Sequence, residues 1–190
     1  YSRGTKVFPN NRNVSYIFLA LESLESNKNF ISFSNSSGSV VNIGVDSNFN
    51  VIFTDSFEAI TLTSNVVLSN PFNGLISFEI NYFEEDNFFV EMYIDGAPVG
   101  KTALNKSKSF YDSFEIGRGN STYFKGAFNE IIVISKENLL TKDQFNFMNY
   151  YLGQKWNFQA SIDSDNDGFS NFQDFNCIFP NDYKNALDST

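Results

Sequence analysis

From residue 15 to residue 135, apolar and polar positions alternate in short runs broken by clusters of Asn, Ser, Gly and Asp. A period of two is the mark of strands with one packed face, and helical spacing is absent from this stretch. The pattern predicts strands over residues 16–21, 29–34, 40–45, 51–54, 59–63, 75–82, 88–94, 110–116 and 126–135. In the run 75–82, Leu75, Ser77, Glu79 and Asn81 alternate with Ile76, Phe78, Ile80 and Tyr82. One face of that strand is therefore expected to pack and the other to stay wet. Asp95-Gly96, directly after the run 88–94, marks a hairpin, because a tight turn between twisted strands needs positive φ at its centre. Strands at this spacing predict an all-β fold, a sandwich or a barrel.

The rhythm changes once. Thr141 with Gln144 three residues on forms a capping box, and Phe145, Met148, Tyr151 and Leu152 form an apolar stripe at helical spacing, with Lys155 in the last turn. This C-terminal helix is expected to lie across the sandwich. Trp156 and Phe158 would then close a domain spanning residues 1–158, and the polar stretch 159–164 is its natural boundary with an appended connector, 159–190.

The connector carries the one spacing that points to a defined chemistry. Residues 163–174 read Asp-Ser-Asp-Asn-Asp-Gly-Phe-Ser-Asn-Phe-Gln-Asp. Asp163, Asp165 and Asp167 fall at positions 1, 3 and 5 of a calcium loop, Gly168 at 6, Asn171 at 9 and Asp174 at 12, with Phe169 offering its backbone carbonyl. Calcium needs about 6 to 8 hard oxygens around one ion, and a glycine where the chain turns sharply. A solvated acidic linker has no reason to keep acids at alternate positions and restore one at position 12. Asp at 12 reaches less far than Glu, so the expected affinity is weak, on the order of 10⁻⁴ to 10⁻³ M. The segment before the loop is too short for a long flanking helix, and Pro180 ends anything helical after it. A helix-loop-helix sensor is excluded. The loop resembles instead those of thrombospondin type 3 repeats and dockerins, and Pro180-Asn181-Asp182 fits the former.

Composition narrows the function further. With 190 residues, 42% of them hydrophobic and 23 of them Phe, the chain can hold one sizeable core plus a short appendage. A formal charge of −9 argues against a nucleic-acid surface and against anionic membranes. No apolar run approaches the roughly 20 residues that span a bilayer, and the chain opens on Tyr1 without a leader, so a mature fragment or excised piece is expected. Histidine is absent, which excludes Ser-His-Asp and Cys-His nucleophile pairs and His-ligated zinc. The lone Cys177 cannot form an internal disulfide and is read as a small buried hydrophobe beside Phe175 and Phe179. Four sequons, at Asn13, Asn35, Asn105 and Asn120, are what a chain rich in Asn and Ser produces by chance.

Three further pieces carry a resemblance. They are Tyr93-Ile94-Asp95-Gly96-Ala97-Pro98-Val99-Gly100, then Glu115-Ile116-Gly117 with Tyr123-Phe124-Lys125-Gly126-Ala127-Phe128-Asn129-Glu130-Ile131-Ile132-Val133, and Tyr150-Tyr151-Leu152-Gly153-Gln154-Lys155-Trp156-Asn157. In order and spacing the chain resembles the laminin G-like jelly roll of the concanavalin A-like lectin and glucanase superfamily. The resemblance implies an antiparallel β-sandwich, a jelly roll, with one C-terminal helix, and a module that binds glycans or proteins through loops at one rim. Most of the motif residues are scaffold: Gly96, Gly117 and Gly126 serve turns and close approach, and Glu130 is expected to satisfy buried backbone. The same superfamily contains glucanases with Glu-Ile-Asp-x-x-Glu on one strand, and Glu79-Ile80-Asn81-Tyr82-Phe83-Glu84 is close to that. Asn81 stands where the middle Asp would tune the pair, and Glu84-Glu85-Asp86-Asn87 has the composition of a hairpin tip, so no catalysis is expected.

The chain is accordingly expected to be an extracellular, calcium-binding recognition domain, adhesin-like or pilus-associated. It would belong to a longer secreted or surface protein of bacterial type, with a glycan or an extracellular protein as partner. The alternative is a spacer or assembly domain whose sandwich binds nothing, and exposed aromatics at a rim would speak against it.

Overall fold

The computed structural model describes residues 2–5, 14–36, 38, 40–57, 59–81, 88–104, 113–119, 122–136 and 139–173. Two antiparallel sheets face each other. One runs in the order β1 (Ser2–Thr5), β10 (Ser113–Ile116), β3 (Lys28–Ser34), β4 (Val40–Val45), β5 (Asn50–Asp55) and β6 (Ile60–Val67). The other runs β13 (Ala127–Lys136), β2 (Val14–Ser23), β7 (Gly74–Asn81), β8 (Phe89–Ile94) and β9 (Ala97–Ala103). A short ribbon, β11 (Arg118–Gly119) with β12 (Thr122–Tyr123), joins β10 to β13. The fold is the expected jelly-roll sandwich with one helix, α1 (Lys142–Trp156).

Register puts the apolar positions in one layer. Ile17 of β2 lies opposite Phe78 of β7, and Phe78 opposite Met92 of β8. Across the gap, Ile43 pairs with Phe53, and the Phe53 ring sits 6.4 Å from that of Phe78. All five side chains are at most 1% exposed. Burial of a Phe side chain at this depth is worth roughly 2–3 kcal/mol, so this layer dominates the stability.

Most alternate residues of β7 are shielded from water, which corrects the expectation for residues 75–81; Glu79 alone is only partly buried. Leu75, Ser77 and Asn81 are fully buried, while Tyr82 lies outside the described residues. The reason is α1, which covers that face and builds a second apolar cluster from Tyr16, Phe18, Ala20 and Leu75 with Phe145, Leu152 and Phe158. Phe145 is its centre, with ring centroids 5.3 Å from Phe18 and 4.7 Å from Tyr93.

The helix begins at the predicted capping box: Thr141 Oγ1 accepts the Gln144 amide and Gln144 Oε1 accepts the Thr141 amide. Its buried stripe differs from expectation. Asn146, Asn149 and Gly153 join Phe145 and Leu152, whereas Tyr151 is 41% exposed. At its far end Glu130 of β13 takes Lys155 Nζ at 2.8 Å and the Trp156 indole N–H at 2.9 Å. Glu130 thus pins the helix to the sheet through side chains rather than satisfying backbone.

Candidate functional site

The chain leaves α1 through Asn157, whose φ of 60° reverses it, and turns at once back onto the sandwich. The Phe158 carbonyl accepts the amides of Ser161 and Ile162, and Ile162 is fully buried against Gly153 and the second cluster. Asp163 then donates its amide to the Asp95 carbonyl at 2.9 Å, at the turn between β8 and β9. Gly96 makes this possible: its φ is +91°, and a Cβ there would lie 1.9 Å from the Asp163 carbonyl oxygen. The neighbouring Asp95 carboxylate accepts the Leu75 amide at 2.8 Å, and burial raises its pKa to about 6. The segment 159–173 is therefore tied to the sandwich at Ile162 and Asp163.

Within the loop, Asp163 binds the chain twice, its two oxygens accepting the amides of Asp167 at 3.2 Å and Gly168 at 2.9 Å. Asp167 accepts the Phe169 amide. Gly168 has φ +100°, as the sharp turn at position 6 requires, and Asn166 has φ 59°. The carboxylate oxygens of Asp163, Asp165 and Asp167 come within 4.8 Å of one another, and Asp165 is only 1% exposed. Three hard oxygen donors at this separation fit calcium. Asn171 is turned inward: its Oδ1 accepts the Ser164 amide at 2.9 Å and its Nδ2 donates to Ser164 Oγ at 2.7 Å. Phe169 is 44% exposed; Asp174 and Cys177 lie outside the described residues.

Beside the loop, a cavity of about 320 Å³ opens between the first turns of α1 and the covered face of β7, β8 and β9. Glu79 and Glu91 line it from directly opposite positions on neighbouring strands, and Asp165 belongs to the same lining. Tyr93 and Phe145 supply aromatic wall, and the exposed Lys142 lines the cavity as well. Burial, then the adjacent Glu91, raise the pKa of Glu79 to about 7, against the opposing charge of Lys101 and the hydrogen bond from the Tyr16 hydroxyl. Sequence reasoning treated Glu79 only as part of a glucanase-like run. Its true neighbour, Glu91, comes from the next strand, and the remainder of that run, residues 82–84, lies outside the described residues.

A third feature is the outer face of the six-stranded sheet. Ser32, Asn42, Thr54 and Thr61 stand in register across β3, β4, β5 and β6. Ser32 Oγ donates to Asn42 Oδ1 at 2.6 Å, and Ser34 and Ser113 share a hydrogen bond at 2.7 Å. Phe57, 49% exposed, marks the β5–β6 end of that row.

Solved structures that align with this chain include the following three. The native heptameric SAP-like pentraxin of Limulus polyphemus does so with a TM-score of 0.46 and 10% identity, over 65% of this chain and 63% of the pentraxin. Domain 4 of AbnA, an extracellular arabinanase from Geobacillus stearothermophilus in complex with arabinotriose, has a TM-score of 0.43 and 17% identity, over 65% and 60%. A human galectin-16 double variant has a TM-score of 0.45 and 10% identity, over 71% and 95%. The chain spans less than two thirds of the length of the first two. No protein-family model matches the chain, and no curated protein does.

Proposed function

We propose that the chain is a calcium-binding recognition domain of the extracellular space, laminin G-like in its sandwich and thrombospondin type 3-like in its loop, whose ligand is a glycan and which binds without catalysis. The observation that carries this reading is the convergence of Asp163, Asp165 and Asp167 within 4.8 Å in a loop tied to the Asp95-Gly96 turn. A loop folded onto the sandwich gives calcium a fixed geometry to complete, and calcium in turn adds stability wherever it binds the folded state better than the unfolded one. For the ligand class, the support is the row Asn42, Thr54 and Thr61, whose amide and hydroxyl groups offer sugar hydroxyls donors and acceptors on the sheet's outer face. Phe57 and Tyr123, both largely exposed, give apolar surface of the kind a spacer domain does not need.

Calorimetric titration with CaCl₂ tests the first half. The expectation is one site with Kd on the order of 10⁻⁴ to 10⁻³ M, weakened about tenfold or more by Asp165→Asn. Limited proteolysis should cut near Ser164 faster under chelation. A glycan array probed with calcium tests the second half, with Thr54→Ala and Phe57→Ala as the variants expected to lose signal. No heat with calcium and silence on the array would leave the spacer reading standing.

A further inference from the structure

The cavity beside α1 shares Asp165 and Asn166 with the calcium loop, but its other lining groups serve neither that loop nor the hydroxyl face. Glu79 and Glu91 are directly opposed across β7 and β8, an arrangement of like charges that costs stability unless something cationic answers it. Lys101 answers both in part, reaching Glu91 at 3.0 Å while lying over the Phe89 ring at 3.8 Å, and its charge also acts on Glu79 from beyond ion-pair distance. Among the described residues no lysine or arginine lies within ion-pair distance of Glu79. The two carboxylates are oriented by tyrosines, Tyr16 donating to Glu79 and Tyr93 to Glu91, which leaves their remaining lone pairs for a further donor.

From this we infer that the groove between α1 and the covered face of β7–β9 is a binding site for a primary ammonium group, held between the carboxylates of Glu79 and Glu91 and against the rings of Tyr93 and Phe145. An ammonium has three N–H donors and no acceptor, which matches a pair of carboxylates, and its charge is attracted to aromatic faces. A metal ion fits less well. Among the described residues, the only three acids close enough to share one are Asp163, Asp165 and Asp167. The volume of about 320 Å³ lies at the small end of ligand clefts, suited to one sugar ring or an alkyl chain. Two sources share this chemistry: an amino sugar, and an alkylamine such as a lysine side chain. Lys142, a cation in the same lining, competes with either. The site does not depend on the calcium reading.

The test is titration of the full chain, in an amine-free buffer at neutral pH, with D-glucosamine, cadaverine and the neutral N-acetyl-D-glucosamine, followed by amide chemical shifts. Each titration is run with calcium and again with chelator, so that failure of the calcium loop leaves the answer intact. At least one amine is expected to saturate, with N-acetyl-D-glucosamine about tenfold or more weaker. Tighter binding of glucosamine assigns an amino sugar, and tighter binding of cadaverine an alkylammonium. Glu79→Gln and Glu91→Gln should each weaken the amine about tenfold, while Lys142→Gln should tighten it a few-fold. Both glutamines keep the shape and remove repulsion, so the variants should fold. No saturation by either amine at up to about 50 mM, or equal binding of the N-acetyl compound, overturns the assignment. A Lys142→Gln variant that weakens binding does so too.

Discussion

The two faces of the five-stranded sheet are made by the same strands and built to opposite ends. Toward the six-stranded sheet, β7 and β8 present Ile76, Phe78, Ile80, Val90 and Met92, all at most 3% exposed and all apolar. Toward α1 the alternate positions are Leu75, Ser77, Glu79, Asn81, Glu91 and Tyr93. Both faces are covered, yet only the second keeps charge, hydroxyls and a cavity. A face chosen for stability alone would be apolar throughout, since a buried carboxylate costs free energy that a methyl group does not. The polar side of this sheet carries that cost where the helix and the docked loop meet, which is where a ligand would find fixed groups.

Mutation of the inner face should give the largest effect. Phe78→Ala removes a fully buried ring against Phe53, and about 3–5 kcal/mol of stability should go with it, read by urea denaturation. If the loss is under about 1 kcal/mol, the inner layer is not the dominant core.

Next comes Gly96→Ala, which strikes the junction between the hairpin and the loop. The new Cβ collides with the Asp163 carbonyl and forces a non-glycine residue to φ +91°, at a cost on the order of 2–3 kcal/mol. The expected outcome is selective: proteolysis of 163–173 accelerates, while near-ultraviolet circular dichroism of the sandwich is retained. Equal release of both would mean that loop and sandwich unfold as one unit.

The charged face makes a prediction of opposite sign. The folded pKa of Glu79 is raised to about 7 against an ordinary 4.5, so between those values the folded state holds a proton that the unfolded state has lost. Stability therefore falls as pH rises from about 4.5 to 7 and levels above it, and Asp95, raised to about 6, adds in the same direction. Glu79→Gln should recover about 1–2 kcal/mol at pH 8 and little at pH 4.5, less than full linkage would give because water reaches part of the carboxylate. Thermal melts across that range check it. A variant less stable than wild type at pH 8 would mean that the attraction of Lys101 for Glu79 outweighs burial and the repulsion from Glu91.

The inner face was legible in the sequence for a simple reason. Alternation survives wherever one side of a strand is uniformly apolar, and the run 40–45 was placed to the residue, as β4. The edge strand β9 was not, because Pro98 and Gly100 interrupt its pattern and an edge tolerates both. The acids of the loop were legible because their spacing is local. The inward turn of Asn171 onto Ser164 was not, since an amide at position 9 reads the same whether it faces an ion or the backbone. The cavity was invisible for a different reason: Glu79, Glu91, Phe145 and Asp165 are brought together by strand register and by how α1 lies, and neither is a local property of the chain.

The smallest effect separates the helix as a lid from the helix as a wall. Thr141→Ala removes the side chain that accepts the Gln144 amide, costing about 1 kcal/mol, and leaves every core contact in place. That loss should appear as faster amide exchange over residues 142–146 with β2 and β7 unchanged, because the first turn frays while Leu152 and Phe158 still anchor the rest of α1. Lys142, Phe145 and Asn146 are the helix's share of the cavity lining, so fraying should also weaken amine binding a few-fold. Exchange that accelerates with no change in amine affinity would confine the ammonium site to the sheet, with α1 as cover alone.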